Sequence, residues 1–230
     1  MKLGGLTLVS DTDYFPSLRA SANELWMTLN RDLVGATNHL EIIPPGAVAA
    51  PTGVVASAFS ATRIDVTWNV VGGATYQIDR MDPGIAFRQI ATSMVSSFTD
   101  SPVASNTAYM YRIRAVIGAD VSANSASDLA TTVIFADPAL AGLTVQATHL
   151  SQLRTAVDAV RLLAGTGSGG YTDAMLPGIP IKAIHLTQLR TTLDTARNAL
   201  GLSTGGYSDG GLVGVPVKAQ HFQELRDGVK

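Results

Sequence analysis

The sequence predicts a multidomain protein in which an all-β sandwich lies between a helical N-terminal arm and a set of α-helical repeats. Three observations lead to this prediction. A His, Leu, Leu-Arg motif recurs at a fixed spacing near the C-terminus, polar and apolar residues alternate in the middle of the chain, and a helix-start signal precedes an apolar run near the N-terminus. The predicted segments are residues 1–46, 47–136 and 137–230.

The N-terminal arm is predicted to contain an amphipathic helix over about residues 16–34. Ser21 and Glu24 have the spacing of a capping box and stand just before the apolar residues. An arm of this size cannot bury a tryptophan and several leucines alone, so we expect it to dock on the same chain or on a neighbouring copy. The candidate assembly contacts in the arm are Leu25, Trp26 and Leu29.

The middle segment has the alternating pattern of short β-strands separated by turns. The strongest strand is predicted over residues 109–116, where apolar and polar side chains alternate. The other predicted strands cover residues 54–58, 63–68, 75–80, 87–92, 97–99 and 130–135. Seven short strands within about 90 residues are typical of a β-sandwich.

Particular residues of this segment resemble the fibronectin type III domain. The resemblance rests on Pro51, Val54, Trp68, Tyr76, Ile78, Arg80, Phe98, Thr99, Asp100, Tyr109, Tyr111, Ile113 and Ala115, which stand in the order of that family. It implies that Trp68, Tyr76 and Tyr111 belong to the core and that Tyr109 makes the tyrosine corner. It also implies binding or spacing and no catalysis.

The C-terminal segment consists of three units with a period of 36 residues, the third of which is truncated. The repeat-defining residues are His149, His185 and His221, Arg154, Arg190 and Arg226, and Asp137, Asp173 and Asp209. Apolar residues at helical spacing predict one amphipathic helix in each unit, with Leu153, Leu189 and Leu225 in the core. The units resemble the short helical repeats that follow fibronectin type III domains in exported bacterial surface proteins.

The polar residues of the repeats are predicted to have structural roles. Each histidine is expected to bond the preceding loop, each aspartate to form a turn, and each arginine to cap carbonyls or make a salt bridge. Neighbouring helices would hold equivalent histidines too far apart for one metal ion. We therefore predict no catalytic, metal-binding or cofactor-binding residues, and no enzymatic activity.

Composition excludes several classes of partner. Only 15% of the residues are charged, against about 25% in ordinary domains, which suggests surface covered by neighbours. The formal net charge of -2 offers no basic field for nucleic acid. Cysteine is absent, residues 1–10 do not have the pattern of a signal peptide, and no apolar run is long enough to predict a membrane span.

The truncated third unit suggests a function. If its short helix leaves apolar residues of the second unit open, another subunit must cover them; the candidate contacts are Leu193, Leu200 and Phe222. The hypothesis is a non-enzymatic structural subunit of an extracellular assembly, a homo-oligomer or polymer such as a surface filament or virion component. Two alternatives remain open: a monomeric adhesive or carbohydrate-binding module of an exported protein, and a bacteriophage tail or decoration protein.

Overall fold

The computed structural model describes residues 2–3, 6–7, 12, 14–19, 24–30, 40–41, 48–174 and 178–230 of the chain. The chain divides into two compact units, Met1–Ala47 and Val48–Lys230.

The described part of the first unit is built of β-strands. Strand β1 (Lys2–Leu3) pairs with β2 (Leu6–Thr7) and with β5 (Leu40–Glu41), while β3 (Tyr14–Arg19) and β4 (Glu24–Leu29) form an antiparallel pair.

The predicted helix over residues 16–34 is therefore wrong in its described part, and Leu25, Trp26 and Leu29 lie on strand β4. Residues 20–23 and 31–34 lie outside the described residues. The apolar pattern was ambiguous, because Leu25, Met27 and Leu29 also satisfy the alternation of a strand. Pairing with the aromatic strand β3 decides between the two patterns.

The middle of the second unit is a sandwich of two antiparallel sheets. Its strands are β6 (Val55–Ser60), β7 (Arg63–Thr67), β8 (Thr75–Asp82), β9 (Ile85–Ser93), β10 (Ser97–Asp100), β11 (Ala108–Ile117), β12 (Asp120–Val121) and β13 (Asp128–Thr131). One sheet has the order β10-β7-β6, and the other has the order β12-β11-β8-β9 with β13 also pairing with β11. Strand β6 therefore lies at the edge of its sheet.

The facing sides of the two sheets form the core of the sandwich. Side chains that alternate along each strand are buried there, among them Ile64 and Val66 of β7 and Ile78 of β8. Trp68 packs edge to face on Tyr76, with ring centroids 5.1 Å apart. The burial of these large side chains fixes the register of both sheets.

Three helices of 36-residue spacing follow the sandwich: α1 (Ala147–Leu163), α2 (Ala183–Ala199) and α3 (Ala219–Gly228). After α1 and α2 the chain turns at Gly165 and Gly201, whose φ angles are 69° and 71°. The amide groups just beyond these glycines bond the carbonyls of Arg161 and Arg197, which ends each helix in a Schellman-like turn.

The apolar stripe of the repeats is covered by the chain itself, which contradicts the expectation of an open stripe. Leu193 and Phe222 are completely buried, and Leu200 is partly buried against the same core. The reason is that α3 packs on α1 as well as on α2, so that the short third unit closes the set of helices. The ten residues of α3 are therefore enough to cover this part of the stripe.

The sandwich and the helices share a hydrophobic core. Met110 of β11 and Leu129 of β13 belong to the same buried cluster as Leu150 and Leu153 of α1. Along β11, alternate side chains thus face opposite ways: Tyr111 fills the sandwich, and Met110 packs toward the helices. The two parts are joined by packed side chains and not only by the connecting chain.

Candidate functional site

The repeat arginines join the three units in a cyclic order. Arg154 donates hydrogen bonds to the carbonyls of Thr172 (2.7 Å) and Asp173 (2.9 Å) in the second unit. Arg190 and Arg226 continue this pattern: Arg190 donates to the carbonyl of Asp209 in the third unit, and Arg226 donates to the carbonyl of Asp137 in the first. We call this closed set of units, residues 135–230, the repeat ring.

We call each of these arginine contacts between two units a joint. At each of the three joints, an aromatic ring stacks on the arginine. The guanidinium carbons of Arg154, Arg190 and Arg226 lie 5.0, 4.4 and 4.4 Å from the ring centroids of Tyr171, Tyr207 and Phe135, respectively. Each guanidinium thus stacks on an aromatic ring and donates a hydrogen bond to a backbone carbonyl of the same neighbouring unit. The aromatic residue and the aspartate at the start of each unit therefore bind the arginine of the preceding unit in the cyclic order.

The three histidines hold the start of each helix within its own unit. In the second unit, Nδ1 of His185 accepts a hydrogen bond from the backbone N–H of Lys182 (3.2 Å), and Nε2 lies 3.0 Å from Oδ2 of Asp173. The first contact requires an unprotonated Nδ1. The proton is therefore on Nε2, which donates a hydrogen bond to the carboxylate. His149 and His221 make the equivalent contacts with Asp137 and Asp209.

The aspartates of the second and third units also bind a lysine. Lys182 Nζ lies 3.0 Å from Asp173, and Lys218 Nζ lies 3.0 Å from Asp209. The hydrogen bonds of Lys182 and His185 hold the pKa of Asp173 below its ordinary value. The bonds of His221 and Lys218 do the same for the pKa of Asp209.

A tyrosine–aspartate clamp strengthens the first two joints. The Tyr171 hydroxyl donates to Asp158 (2.9 Å), and the same carboxylate oxygen accepts the backbone N–H of Gly169 (3.0 Å). Tyr207, Asp194 and Gly205 repeat this arrangement. Burial, followed by the nearby Asp158 charge, raises the pKa of Tyr171 to about 12, so its hydroxyl stays a donor at neutral pH.

The joint that closes the ring lacks this clamp. Phe135 stands where the other units have Tyr171 and Tyr207, and Lys230 stands where they have Asp158 and Asp194. Arg226 also makes fewer bonds than its equivalents. Its Nη1 donates to Asp137, whereas its buried Nη2 has no hydrogen-bond partner among the described residues.

Sequence reasoning missed one further set of contacts. The side-chain oxygens of Gln152, Gln188 and Glu224 accept the backbone N–H groups of residues 136, 172 and 208, respectively. These acceptors recur with the same period of 36 residues, so the period could have pointed to them.

Within the described residues, no group of three or more His, Asp or Glu side chains is placed to hold a metal ion. No helix in the described ranges combines the length and the apolar character that a membrane crossing needs. The repeat-defining residues are instead engaged in hydrogen bonds inside the repeat ring.

In the sandwich, the residues predicted to be core are buried. Trp68, Tyr76 and Tyr111 lie in its core, and Tyr109 is buried at the start of β11. The Tyr109 hydroxyl accepts the backbone N–H of Ala104 (2.9 Å), five residues earlier, which is the geometry of a tyrosine corner.

Part of the chain is similar to fibronectin type III domains of known structure. The chain is 33% identical to an Fn3-like protein from Clostridium thermocellum, over 37% of this chain and 94% of that one, with a TM-score of 0.35. The middle segment is a fibronectin type III-like domain. The repeat ring and the first unit are outside this domain.

Other fibronectin type III domains match a similar share of the chain. A domain of human fibronectin type III domain containing protein 3 is 16% identical over 42% of this chain and 95% of its own, with a TM-score of 0.36. The FN5 domain of Drosophila Lar is 18% identical over 36% of this chain and 94% of its own, with a TM-score of 0.32. Neither a family model nor a curated protein matches the sequence.

Proposed function

We propose that this chain is a non-enzymatic structural subunit of an extracellular assembly, a surface filament or a virion component. In this proposal the repeat ring is a rigid base, and the fibronectin type III-like domain carries contacts to neighbouring subunits. The observation that carries the proposal is the closure of the ring, in which the recurring His, Arg and Asp residues bind one another or the backbone. Such residues stabilise a scaffold and are not free to act on a substrate.

The core shared by the domain and the repeat ring supports a mechanical role in an assembly. Met110 and Leu129 pack with Leu150 and Leu153, so a force on the domain is transmitted to the helices through packed side chains. Fibronectin type III-like domains are generally non-catalytic, which agrees with this role.

Exposed apolar side chains on the domain offer contacts for a neighbour. Val70, Met94 and Val95 are 73%, 87% and 61% exposed and line one shallow depression between the loops that follow β7 and β9. Clustered apolar side chains of this kind often mark interaction surfaces. They replace the stripe residues Leu193 and Phe222 as the contacts on which assembly would depend.

The proposal is tested by light scattering coupled to size-exclusion chromatography over a range of concentrations. We expect the intact chain to exceed the monomer mass as concentration rises. Replacing Val70 and Met94 by serine should shift the chain toward the monomer without changing its circular dichroism. A monomer at every concentration up to about 1 mM, in the range of weak association, would refute assembly by this chain.

A further inference from the structure

A groove of about 440 Å³ lies between the fibronectin type III-like domain and the joint that closes the repeat ring. Phe59 and Ile134, 69% and 50% exposed, form part of its wall. Phe135, Arg226 and Lys230 of the closing joint also line it. The groove therefore combines apolar side chains with two cationic residues.

The charge of the groove favours an anion. Among its lining residues, all of which the structure describes, none is acidic. Arg226 is only 2% exposed, and its Nη2 has no hydrogen-bond partner among the described residues. The equivalent atom donates to the Thr172 carbonyl in Arg154 and to Glu224 in Arg190. A buried guanidinium N–H without an acceptor is costly, and a carboxylate is the acceptor that fits it best.

One wall of the groove is the edge strand β6. On one side, β6 pairs with β7. On the other side of β6, the Ala56 N–H donates a hydrogen bond to Asp128 Oδ2 (2.8 Å). Ala58 lies two residues further along β6 and lines the groove, so its backbone groups face the same side as those of Ala56. An edge strand beside an apolar groove is the arrangement to which extended peptides add as a further strand.

We propose that this groove is the docking site for an extended peptide segment of a partner protein, in which one carboxylate side chain lies between branched apolar residues. The peptide backbone pairs with β6 near Ala58, its apolar side chains pack on Phe59 and Ile134, and its carboxylate reaches Arg226. The inference rests on the proposed function in one respect, since it supplies a docking partner for a structural subunit.

The test measures binding of a labelled hexapeptide, Asn-His-Leu-Glu-Ile-Ile, by fluorescence anisotropy with the intact chain. This peptide has the sequence of residues 38–43 and the required composition. We expect binding to weaken at least tenfold when the peptide glutamate is replaced by glutamine. The protein substitutions Phe59→Ser and Ile134→Ser should weaken it similarly, whereas Met94→Ser, on an exposed loop outside the groove, should not.

Arg226→Gln is tested with circular dichroism as a folding control, because Arg226 also closes the ring. If that variant unfolds, the proposal is still tested by the comparison of the Glu and Gln peptides and by the Phe59→Ser and Ile134→Ser variants. Equal affinity for the Glu and Gln peptides, no loss with Phe59→Ser, or no binding at millimolar peptide would each overturn the proposal.

The result is separable from the proposed function. A chain that binds the peptide but stays monomeric refutes self-assembly and supports peptide docking in the groove. A chain that self-associates but does not bind the peptide refutes peptide docking in the groove. Self-association that Phe59→Ser abolishes would support the groove and identify the partner as a second copy of this chain.

Discussion

At the scale of single residues, the repeat histidines have definite structural bonds. The sequence suggested a histidine bonded to the preceding loop, and the ring of His185 meets Asp173 of that loop as well as the N–H of Lys182. The role of each arginine was harder to anticipate. Arg154 caps carbonyls 18 and 19 residues later, in the next unit, and only the packing of the helices shows which unit that is.

The bonds of His185 lead to a prediction for stability. His185→Leu should lower the free energy of unfolding by about 1–3 kcal/mol, because the completely buried imidazole loses two hydrogen bonds, one from the Lys182 N–H and one to Asp173, each of which contributes about 0.5–1.5 kcal/mol. Chemical denaturation monitored by circular dichroism measures the change. Thr187→Ala, at an exposed position of the same helix, is the matched control and should change the stability by no more than about 0.5 kcal/mol. Equal effects of the two substitutions would contradict the assigned role.

The lowered pKa of Asp173 predicts a particular dependence of stability on pH. A carboxyl whose pKa is lower in the folded state stabilises the protein above its unfolded pKa of about 3.9, and this contribution is lost as the pH falls through the folded value. Lys182 and His185 are the groups that bind this carboxylate. The Tm difference between the unchanged chain and Asp173→Asn should therefore be largest near neutral pH and shrink below about pH 4.

Thermal unfolding monitored between pH 7 and pH 3 measures this difference. The control is Asp120→Asn, at an exposed position of β12, for which the Tm difference should stay small throughout. A Tm difference for Asp173→Asn that grows toward acid would show that the sign is wrong.

At the scale of elements, periodicity predicted the helices of the repeats and most strands of the sandwich but not the strands of the first unit. The segment around Trp26 satisfied both a helical and a strand pattern, and only pairing between β3 and β4 separates them. By contrast, the apolar positions of α2 fit one face of a helix over 17 residues, which left no such ambiguity.

The buried stripe of α2 gives a prediction for this element. Leu189 is completely buried, so Leu189→Ala should cost about 2–5 kcal/mol of folding free energy through lost burial and the cavity left behind. Ile184 lies on the same helix and is 44% exposed, so Ile184→Ala should cost distinctly less. Urea denaturation of both variants provides the measurement, and similar midpoints would argue against the packing of α2.

At the scale of the whole molecule, the largest departure from the sequence prediction is the closure of the repeats. The truncated third unit suggested an open end, because a sequence shows the length of a helix but not the direction in which its chain turns. The structure returns α3 to α1, which buries Leu193 and Phe222 and brings Arg226 to Asp137. Closure depends on contacts between residues 89 positions apart, which no local pattern contains.

The core shared by domain and ring predicts cooperative unfolding. In a Trp26→Phe variant of the intact chain, fluorescence comes from Trp68 in the sandwich, while circular dichroism at 222 nm is dominated by the helices. We expect the two signals to change at the same temperature, since Met110 and Leu129 pack with α1. Two transitions separated by several degrees would mean that the shared core does not couple the parts.

The cyclic order of the arginine joints limits how such a protein can evolve. An open solenoid can lengthen by duplicating a module, because each added copy meets the same neighbours as the last. Here the final guanidinium reaches back to the first unit, so a duplicated module would have to break the contact between Arg226 and Asp137 before it could be inserted. In the cyclic order of the three units, each unit already has a neighbour on both sides.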